Sequence, residues 1–359
     1  MTKKQLFLLF FIVLLAFSLR FYSVTKVPPS PDWDEASLGY NAYSLLKTGK
    51  DEYGSFLPMT LRSFNDYKPA LYVYLIIPFI KVFDLSLLAV RLPSVFLGTL
   101  TVFIFFFLVR ELFWQTDKWK EKANEIGLVS SFLLAVSPWH IQFSRVAFEA
   151  NAGLSLVVFG LAAFFVGLRR QKTWWYCLSA LLLSLSLYAY HAQRIFVPLL
   201  LLVIFIIYRA ELLKKGKALL VPIIIGIAIS LPILLLFITP AGRERLQNVS
   251  VYSDQTGLLA SEVGRQILDQ NMESKLGAIF HNRRITYVNV FLENYLWHFS
   301  PRWLFLSGDS IEGHHAPDMG LVYFTLLPAI LLGIYYLVSG KGKVKYFILA
   351  WVFLAPLPA

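Results

Sequence analysis

The feature that most constrains this chain is a series of long apolar runs in which Arg20 is the single Asp, Glu, Lys or Arg residue. A helix needs about 18 to 20 consecutive apolar residues to cross the roughly 30 Å hydrocarbon core of a bilayer. Runs that approach or exceed this length lie at 6–24, 92–109, 126–143, 150–168, 173–190, 195–208, 218–240, 319–339 and 346–359. The sequence therefore predicts an all-α, polytopic membrane protein.

The composition agrees with this interpretation. Of the 359 residues, 57% are hydrophobic and only 15% are charged, whereas a soluble domain carries about a quarter charged residues. The first run follows Lys3 and Lys4, and a secretory signal peptide is the alternative interpretation. No small-x-small cleavage site follows the run, which favours an uncleaved first span. The single cysteine, Cys177, rules out intrachain disulfides and a cysteine-rich metal site.

The segment 70–90 decides the topology, because it is apolar but short for a span and is interrupted by Pro78. If this segment lies at the interface, nearly half of the 33 lysines and arginines fall on one side of the membrane. If it crossed, almost all of these cations would face outward. The positive-inside rule therefore favours an interfacial or re-entrant helix, a cytoplasmic N terminus and an extracytoplasmic working face in the inner (plasma) membrane. The net charge of +11 then reflects the cations that set the orientation of the chain in the membrane, and we expect no nucleic-acid partner.

This topology divides the chain into three parts. An N-terminal transmembrane module covers 1–240 and carries an outer loop, 26–91, in which we expect the active site. An extracytoplasmic loop region covers 241–318, and C-terminal spans cover 319–359. The last apolar run stops inside a predicted span, so the sequence favours a fragment of a longer protein.

Three carboxylates follow the first span, at Asp32, Asp34 and Glu35. One interpretation is that they cap a helix and stabilise its N terminus, which is worth about 0.3 to 1 kcal/mol. The other is that they include a general base, since three carboxylates in four residues exceed what a cap requires. We favour the second interpretation.

Several cations are predicted at the outer surface, at the level of a lipid phosphate. Lys68 precedes Pro69 and the interfacial segment, Arg91 follows that segment, and Arg194 lies in the third outer turn. Lysine and arginine can neutralise a phosphate, so these three are candidate phosphate ligands. Snorkelling at the interface is the alternative. His191 can donate a proton or bind a metal, although a structural role is more frequent for a lone interfacial histidine.

The second outer turn contains Arg145 and Glu149. The two can form a plain salt bridge four residues apart, or Glu149 can face the first loop and supply a second acid. Four residues of the long loop are metal ligands by type, although their spacing matches no standard site: Asp309, His314, His315 and Asp318. The absence of a Walker loop and of a GxGxxG motif argues against an ATP-driven pump and a dinucleotide enzyme.

Together these motifs resemble the GT-C glycosyltransferases, and most nearly the protein O-mannosyltransferase and aminoarabinose-transferase branch. The stretches ENYLWHFSPRWLFLSGD and HHAPDMG look like bacterial members. The resemblance is best over residues 1–200 and rests there on four features: the Asp34-Glu35 pair, Lys68-Pro69, an Arg-Leu-Pro-Ser sequence from Arg91, and the turn SRVAFEAN.

The resemblance implies a GT-C type helical bundle whose extracytoplasmic first loop carries interfacial helices. It implies transfer of a sugar from a polyprenyl-phosphate donor to a lipid, glycan or protein acceptor, usually with inversion, among membrane lipids. Asp34 matches the catalytic residue of the Asp-Glu motif, with Glu35 beside it. Lys68 matches the lysine near the carrier phosphate, and Glu149 matches a position usually occupied by Asp. A divalent metal ion is a candidate cofactor, and the supporting residues are Asp32, Arg145 and His191.

A secondary transporter is the alternative function, because it also has many spans and uses buried charges. It predicts ionisable residues near the bilayer midplane and paired inverted repeats. Here most charges lie at the ends of loops and no repeat is visible, which favours the glycosyltransferase. A membrane scaffold without chemistry leaves the cluster of carboxylates and Lys68 unexplained.

Overall fold

The computed structural model describes residues 1–63, 66–116, 118–236, 265, 267, 283–309, 311–316 and 318–358. These residues are mainly helical, with one two-stranded antiparallel hairpin. Much of the predicted loop region 241–318 lies outside the described residues, and the division of the chain into three parts stays a prediction.

The elements follow one another with short connections up to residue 236. In chain order they are α1 (Lys3–Phe21), α2 (Trp33–Thr48), β1 (Thr60–Ser63), β2 (Asp66–Pro69), α3 (Leu71–Phe83), α4 (Leu87–Trp114), α5 (Ala123–Ala135), α6 (Pro138–Arg145), α7 (Glu149–Arg170), α8 (Thr173–Ser186), α9 (Gln193–Leu213), α10 (Leu220–Leu235), α11 (Arg283–Trp297), α12 (Leu327–Ser339) and α13 (Lys343–Leu354).

Five helical segments of the described residues are long and apolar enough to cross a membrane. They are α1, α4, α7, α9 and the segment Gly216–Leu235, which contains α10. The bent pair α5 and α6 can count as a sixth span, and α3 and α8 are shorter apolar helices. The prediction of an all-α, multi-pass membrane protein is therefore confirmed.

The predicted span 126–143 is not one straight helix. Helix α5 ends at Ala135, α6 begins at Pro138, and the two axes differ by 59°. Proline suits the first turn of a helix but disrupts an interior turn, so the chain bends before it. Arg20 of α1 fills the break, where its guanidinium donates to the main-chain oxygen of Ala135 at 3.0 Å. This bond satisfies a carbonyl that the broken helix leaves without a partner.

The segment expected at the interface forms α3, whose 13 residues are too few for a span. Helix α4 then begins at Leu87, five residues before the predicted start of the span at 92. The sequence placed the start of this span too far along the chain, because Arg91 was interpreted as an exposed residue of the outer surface. In the structure Arg91 lies inside α4 and is fully buried.

Helix α4 is the central element of the packing. It contacts α1, α3, α5, α6 and α7, and α2 packs against both α3 and α4. On the other side of α7 follow α8 and then α10, while α13 packs against α9. The first loop is thus fixed to the same helix that supports the second outer turn.

Gly98 of α4 permits a close approach of α6. A Cβ atom at this position would collide with the Oγ atom of Ser144 and lie 2.5 Å from its Cβ atom. We expect Gly98→Ala to lower the free energy of unfolding by about 1 to 3 kcal/mol, because the helices must separate. The matched control is Gly333→Ala in α12, where no atom lies within 4 Å of the added Cβ. Thermal unfolding of both variants in nanodiscs measures the difference, and equal midpoints would contradict the packing of α4 on α6.

Candidate active site

Three connections of the chain meet on one side of the helices: the first loop between α1 and α4, the α6–α7 turn and the α8–α9 turn. The N–H group of Ala147 donates to Oε1 of Glu35 at 2.9 Å. The Nε2 atom of His191 lies 2.9 Å from the main-chain oxygen of Tyr67. Residues that the sequence places in separate outer turns are therefore brought together.

The N terminus of α2 contains the three predicted carboxylates, and Asp32 is the cap. Its Oδ1 atom accepts a hydrogen bond from the N–H group of Trp33 at 2.7 Å. Its own N–H group donates to Oε2 of Glu35 at 3.2 Å, which completes a capping box. The capping interpretation therefore holds for Asp32, whose contacts are structural.

Glu35 and Arg91 form a buried, bidentate ion pair. The Nε and Nη2 atoms of Arg91 donate to the two carboxylate oxygens of Glu35 at 2.8 and 2.7 Å. The same guanidinium also donates to the main-chain oxygens of Val24, Pro28 and Ser30. A guanidinium has five N–H groups, and all five are used within the protein.

The expectation that Arg91 binds a donor phosphate is therefore corrected, since no N–H group of Arg91 is left for a ligand. Glu35 is also buried, at 2% exposure, and its oxygens accept bonds from Arg91, Ala147 and Asp32. The geometry gives this pair a positioning role, because it fastens the start of α2 to α4. Sequence reasoning missed this, since no local pattern marks which acid Arg91 meets.

Asp34 and Lys68 form a second ion pair, and this pair reaches the surface. The side chain of Asp34 is 47% exposed, whereas that of Lys68 is 9% exposed. Lys68 lies in β2 opposite Leu61 of β1, and the following Pro69 restricts its backbone. Asp34 lies in the first turn of α2, where the helix dipole favours a negative charge. A half-exposed carboxylate beside an ammonium group is accessible to a reactant from outside.

Glu149, the first residue of α7, interacts electrostatically with both Lys68 and Asp34. Its Oε1 atom is buried and accepts no hydrogen bond from any residue in the described part of the chain. Leaving a buried polar atom unsatisfied is costly. Arg145 does not pair with Glu149 but donates to the main-chain oxygen of Leu19 at 2.8 Å. The salt-bridge interpretation is therefore wrong, and Arg145 ties α6 to the end of α1.

His191 and Arg194 lie in and beside the α8–α9 turn. The Nε atom of Arg194 donates to the main-chain oxygen of Leu187 at 3.2 Å. Burial and the charges of Arg194 and Lys68 lower the pKa of His191 to about 4, although its hydrogen bond to Tyr67 acts in the opposite direction. The imidazole is therefore neutral at pH 7.

The lowered pKa of His191 makes a prediction about stability and pH. Because the pKa falls from 6.5 to about 4 on folding, the unfolded chain binds more protons than the folded chain in this interval. Acidification from pH 6.5 to about 4 should therefore destabilise the wild type by roughly 1 to 3 kcal/mol more than His191→Gln. The two proteins should agree above pH 6.5, because glutamine can still donate to Tyr67. Thermal unfolding across this pH range tests the prediction, and parallel pH curves would contradict it.

An apolar groove of 350 Å³ begins directly after β2. Ala70, two residues beyond Lys68, lies in its wall. The other walls come from the first loop, α8 and α10, and include Leu57, Met59, Leu71, Leu185, Ile229 and Pro232. Sequence reasoning missed this groove because its walls are far apart along the chain.

A metal site was expected only as a candidate. Within the described ranges, no three side chains of His, Cys, Asp or Glu come together as metal ligands. In the long loop His314 contacts Asp309 at 2.6 Å, while His315 bonds to the main-chain oxygen of Ala316. These residues do not fit a resident metal ion with three protein ligands, and no step proposed below depends on one.

Comparison with known proteins supports the family resemblance. Residues 67–236, just under half of the chain, match the family described as dolichyl-phosphate-mannose-protein mannosyltransferase. This segment contains Lys68, Glu149 and the α8–α9 turn. No curated protein sequence matches the chain.

Solved structures of the Archaeoglobus fulgidus oligosaccharyltransferase are similar in fold. One, tethered with an acceptor peptide containing the NVT sequon, gives a TM-score of 0.56 at 15% identity and covers 99% of this chain and 48% of that chain. Another, AglB in complex with an inhibitory peptide and a dolichol-phosphate, gives 0.54 at 16% identity and covers 99% and 47%. This chain thus spans about half the length of that protein.

These matches bear out the expected fold. The helices, the first loop with its short helices and the match at 67–236 all agree with the resemblance. The chain is a multi-pass membrane protein that is similar over 67–236 to the mannosyltransferase family and in fold to the Archaeoglobus fulgidus oligosaccharyltransferase.

Proposed function

We propose that this protein is a glycosyltransferase that moves a sugar from a polyprenyl-phosphate donor to an acceptor. The observation that carries this proposal is the ion pair of the half-exposed Asp34 with the largely buried Lys68, next to Glu149, whose buried Oε1 atom accepts no hydrogen bond in the described part of the chain. It combines an accessible carboxylate for an acceptor hydroxyl with a cation for a phosphate. Pairs of this kind provide acid–base and electrostatic catalysis.

The donor fits the surface around Lys68. An ammonium group can neutralise a lipid phosphate, and the apolar groove that begins at Ala70 suits the first isoprene units of the carrier. Arg194 and His191 lie on the same side and add a cation and a neutral imidazole. This arrangement supports a donor that is activated on a lipid and needs no nucleotide-binding fold.

In the proposed reaction the acceptor hydroxyl attacks the anomeric carbon of the donor sugar. Asp34 takes the proton of that hydroxyl, and the acceptor oxygen forms the new bond to the anomeric carbon. The bond from that carbon to the phosphate oxygen breaks, and the electron pair leaves on the polyprenyl phosphate. Attack from the face opposite the phosphate inverts the configuration, with an oxocarbenium-like transition state. Lys68 stabilises the charge that grows on the leaving phosphate.

The remaining residues have supporting roles in this proposal. Glu149 acts as a second carboxylate that fixes Lys68 or the acceptor. Glu35 and Arg91 position Asp34, Asp32 caps α2, and Arg145 anchors α6. The acceptor is a lipid, a glycan or a protein.

The direct test supplies the reconstituted protein with a panel of radiolabelled polyprenyl-phosphate sugars. We expect one donor to lose its label to an acceptor, and Lys68→Gln to lower kcat/KM for that donor by about a hundredfold. The matched control is Lys81→Gln, an exposed lysine at the end of α3, which should leave the rate unchanged. If no donor loses its label while the protein is folded in the vesicles, the proposal fails.

We further propose that the site faces the extracytoplasmic side of the inner membrane, with the N terminus in the cytoplasm. Ser30 and Ser339 are both exposed and lie on opposite sides in this topology. In a Cys177→Ser background, an impermeant maleimide added to intact cells should label Ser30→Cys and not Ser339→Cys. Labelling of Ser339→Cys alone would reverse the orientation.

A further inference from the structure

A second cavity lies between α6 and the segment that follows α11. Its volume is 370 Å³. Trp139 and Phe143 of α6 form one wall, and Trp303, Asp309 and His314 form the other. Two tryptophans, a phenylalanine and a hydrogen-bonded Asp–His pair thus surround one space that the proposed reaction does not use.

The two walls are joined by hydrogen bonds. The N–H group of Trp139 donates to the main-chain oxygen of Leu321 at 3.4 Å. The side-chain amide of Gln142 donates to the main-chain oxygen of Gly313 at 3.0 Å. The cavity is therefore formed by two segments that are far apart in sequence: Gln142 and Gly313 are separated by 171 residues.

The polar part of the cavity is the pair of Asp309 and His314. The Nδ1 atom of His314 lies 2.6 Å from Oδ2 of Asp309. A carboxylate only accepts hydrogen bonds, so Nδ1 carries a proton, and Nε2 is the nitrogen left for a ligand. The side chain of His314 is 31% exposed and that of Asp309 is 37% exposed. Both residues line the cavity.

The chemistry of this cavity differs from that of the groove beside Lys68. The groove is mainly aliphatic and suits a hydrocarbon chain. The second cavity combines flat aromatic surfaces with an oriented imidazole. The C–H faces of a sugar ring pack on aromatic rings, while its hydroxyl groups bond to polar side chains. A hydrocarbon chain here would remove water from the imidazole of His314 without offering it a hydrogen bond.

The cavity adjoins the candidate active site through Phe148. The ring of Phe148 lies 4.9 Å from that of Phe143 and 5.5 Å from that of His314, measured between ring centroids. Phe148 is also the residue immediately before α7, which begins with Glu149. Phe148 thus connects two residues of the cavity wall to the N terminus of α7.

We propose that this aromatic cavity binds a hexopyranose ring of the acceptor, stacked on Trp303 and hydrogen-bonded by His314. The acceptor is then a saccharide, free or lipid-linked, rather than a protein side chain. The assignment of the ring to the acceptor rests on the proposed function, whereas the binding of a sugar ring does not.

Calorimetric titration of the full chain in nanodiscs free of sugar-based detergent tests this proposal. The probes are the methyl α-glycosides of glucose, mannose and galactose, with cyclohexanol as a ring that lacks the hydroxyl pattern. We expect saturable binding of at least one glycoside, and about tenfold weaker binding in Trp303→Ala and in His314→Ala. Trp303→Phe, which keeps an aromatic face, should retain most of the affinity. Trp297→Ala is the matched control, since Trp297 is an exposed tryptophan of α11 outside the cavity.

The outcomes separate this inference from the proposed function. If no glycoside binds, or if cyclohexanol binds as tightly, the sugar-ring site is overturned even when transfer from a lipid donor is observed. Unchanged affinity in Trp303→Phe, Trp303→Ala and His314→Ala would overturn it as well. Binding that survives in Asp34→Asn and disappears in Trp303→Ala supports the site, even if no polyprenyl-phosphate donor is consumed.

Discussion

Asp34→Asn is expected to lower the rate of sugar transfer by about a hundred- to ten-thousand-fold, the usual contribution of a general base. Asparagine has nearly the same shape as aspartate but cannot take the proton of an acceptor hydroxyl. It also removes the charge that pairs with Lys68. The side chain of Lys68 is only 9% exposed, and the amide oxygen of the new side chain can still accept a hydrogen bond from its ammonium group. Initial rates with a labelled polyprenyl-phosphate sugar measure the effect.

Asp32→Asn is the matched control for this variant. Asparagine is as good an N-cap as aspartate, so α2 should keep its start and the rate should stay within a factor of about two. Asp32→Asn should unfold at the wild-type temperature, and thermal unfolding of Asp34→Asn measures how much stability the buried Lys68 loses with its partner. Comparable activity in Asp34→Asn and the wild type would exclude Asp34 as the base, and a large loss in Asp32→Asn would move the reaction to the cap itself.

The sequence predicted well what depends on composition. Apolar runs placed most spans. Of the segment 70–90, which the cations placed at the interface, most forms the short helix α3, whereas 87–90 belong to α4. The same reasoning assigned Asp34, Lys68, Glu149 and His191 to outer turns on one face. The structure brings those turns together because all of them end helices that pack around α4 and α7.

The sequence did not predict which residues far apart in the chain form hydrogen bonds and ion pairs with one another. Arg91 and Arg145 carry the same charge at the edges of apolar runs, and nothing local distinguishes an arginine that binds phosphate from one that binds main-chain oxygens. The break in 126–143 was missed because a continuous apolar run does not indicate where a helix bends. Pro138 is a local signal for a bend, but the contact that stabilises the bend comes from Arg20, which is 115 residues away from Ala135 in sequence.

Arg91→Leu is expected to destabilise the protein by about 3 to 5 kcal/mol, the usual effect of removing one partner of a buried ion pair. The change leaves the carboxylate of Glu35 buried at 2% exposure without its cation. It also leaves the main-chain oxygens of Val24, Pro28 and Ser30 without their donor. Arg62→Leu is the matched control, since Arg62 is an exposed arginine of β1 and such changes stay within about 0.5 kcal/mol. Thermal unfolding in nanodiscs measures both.

The double variant Glu35→Leu/Arg91→Leu separates stability from positioning. Two leucines leave no buried charge, so part of the lost stability should return, as is found when buried pairs are replaced by apolar residues. Transfer activity should not return, because the double variant also lacks the hydrogen bond that Glu35 accepts from the N–H group of Ala147 at 2.9 Å. This bond connects α2 to the turn before Glu149. Without that bond, Asp34 and Glu149 lose their fixed separation, and misplaced reacting groups lower kcat. A double variant that regains both stability and kcat would show that the pair only stabilises the fold, and that Asp34 is positioned by Lys68 alone.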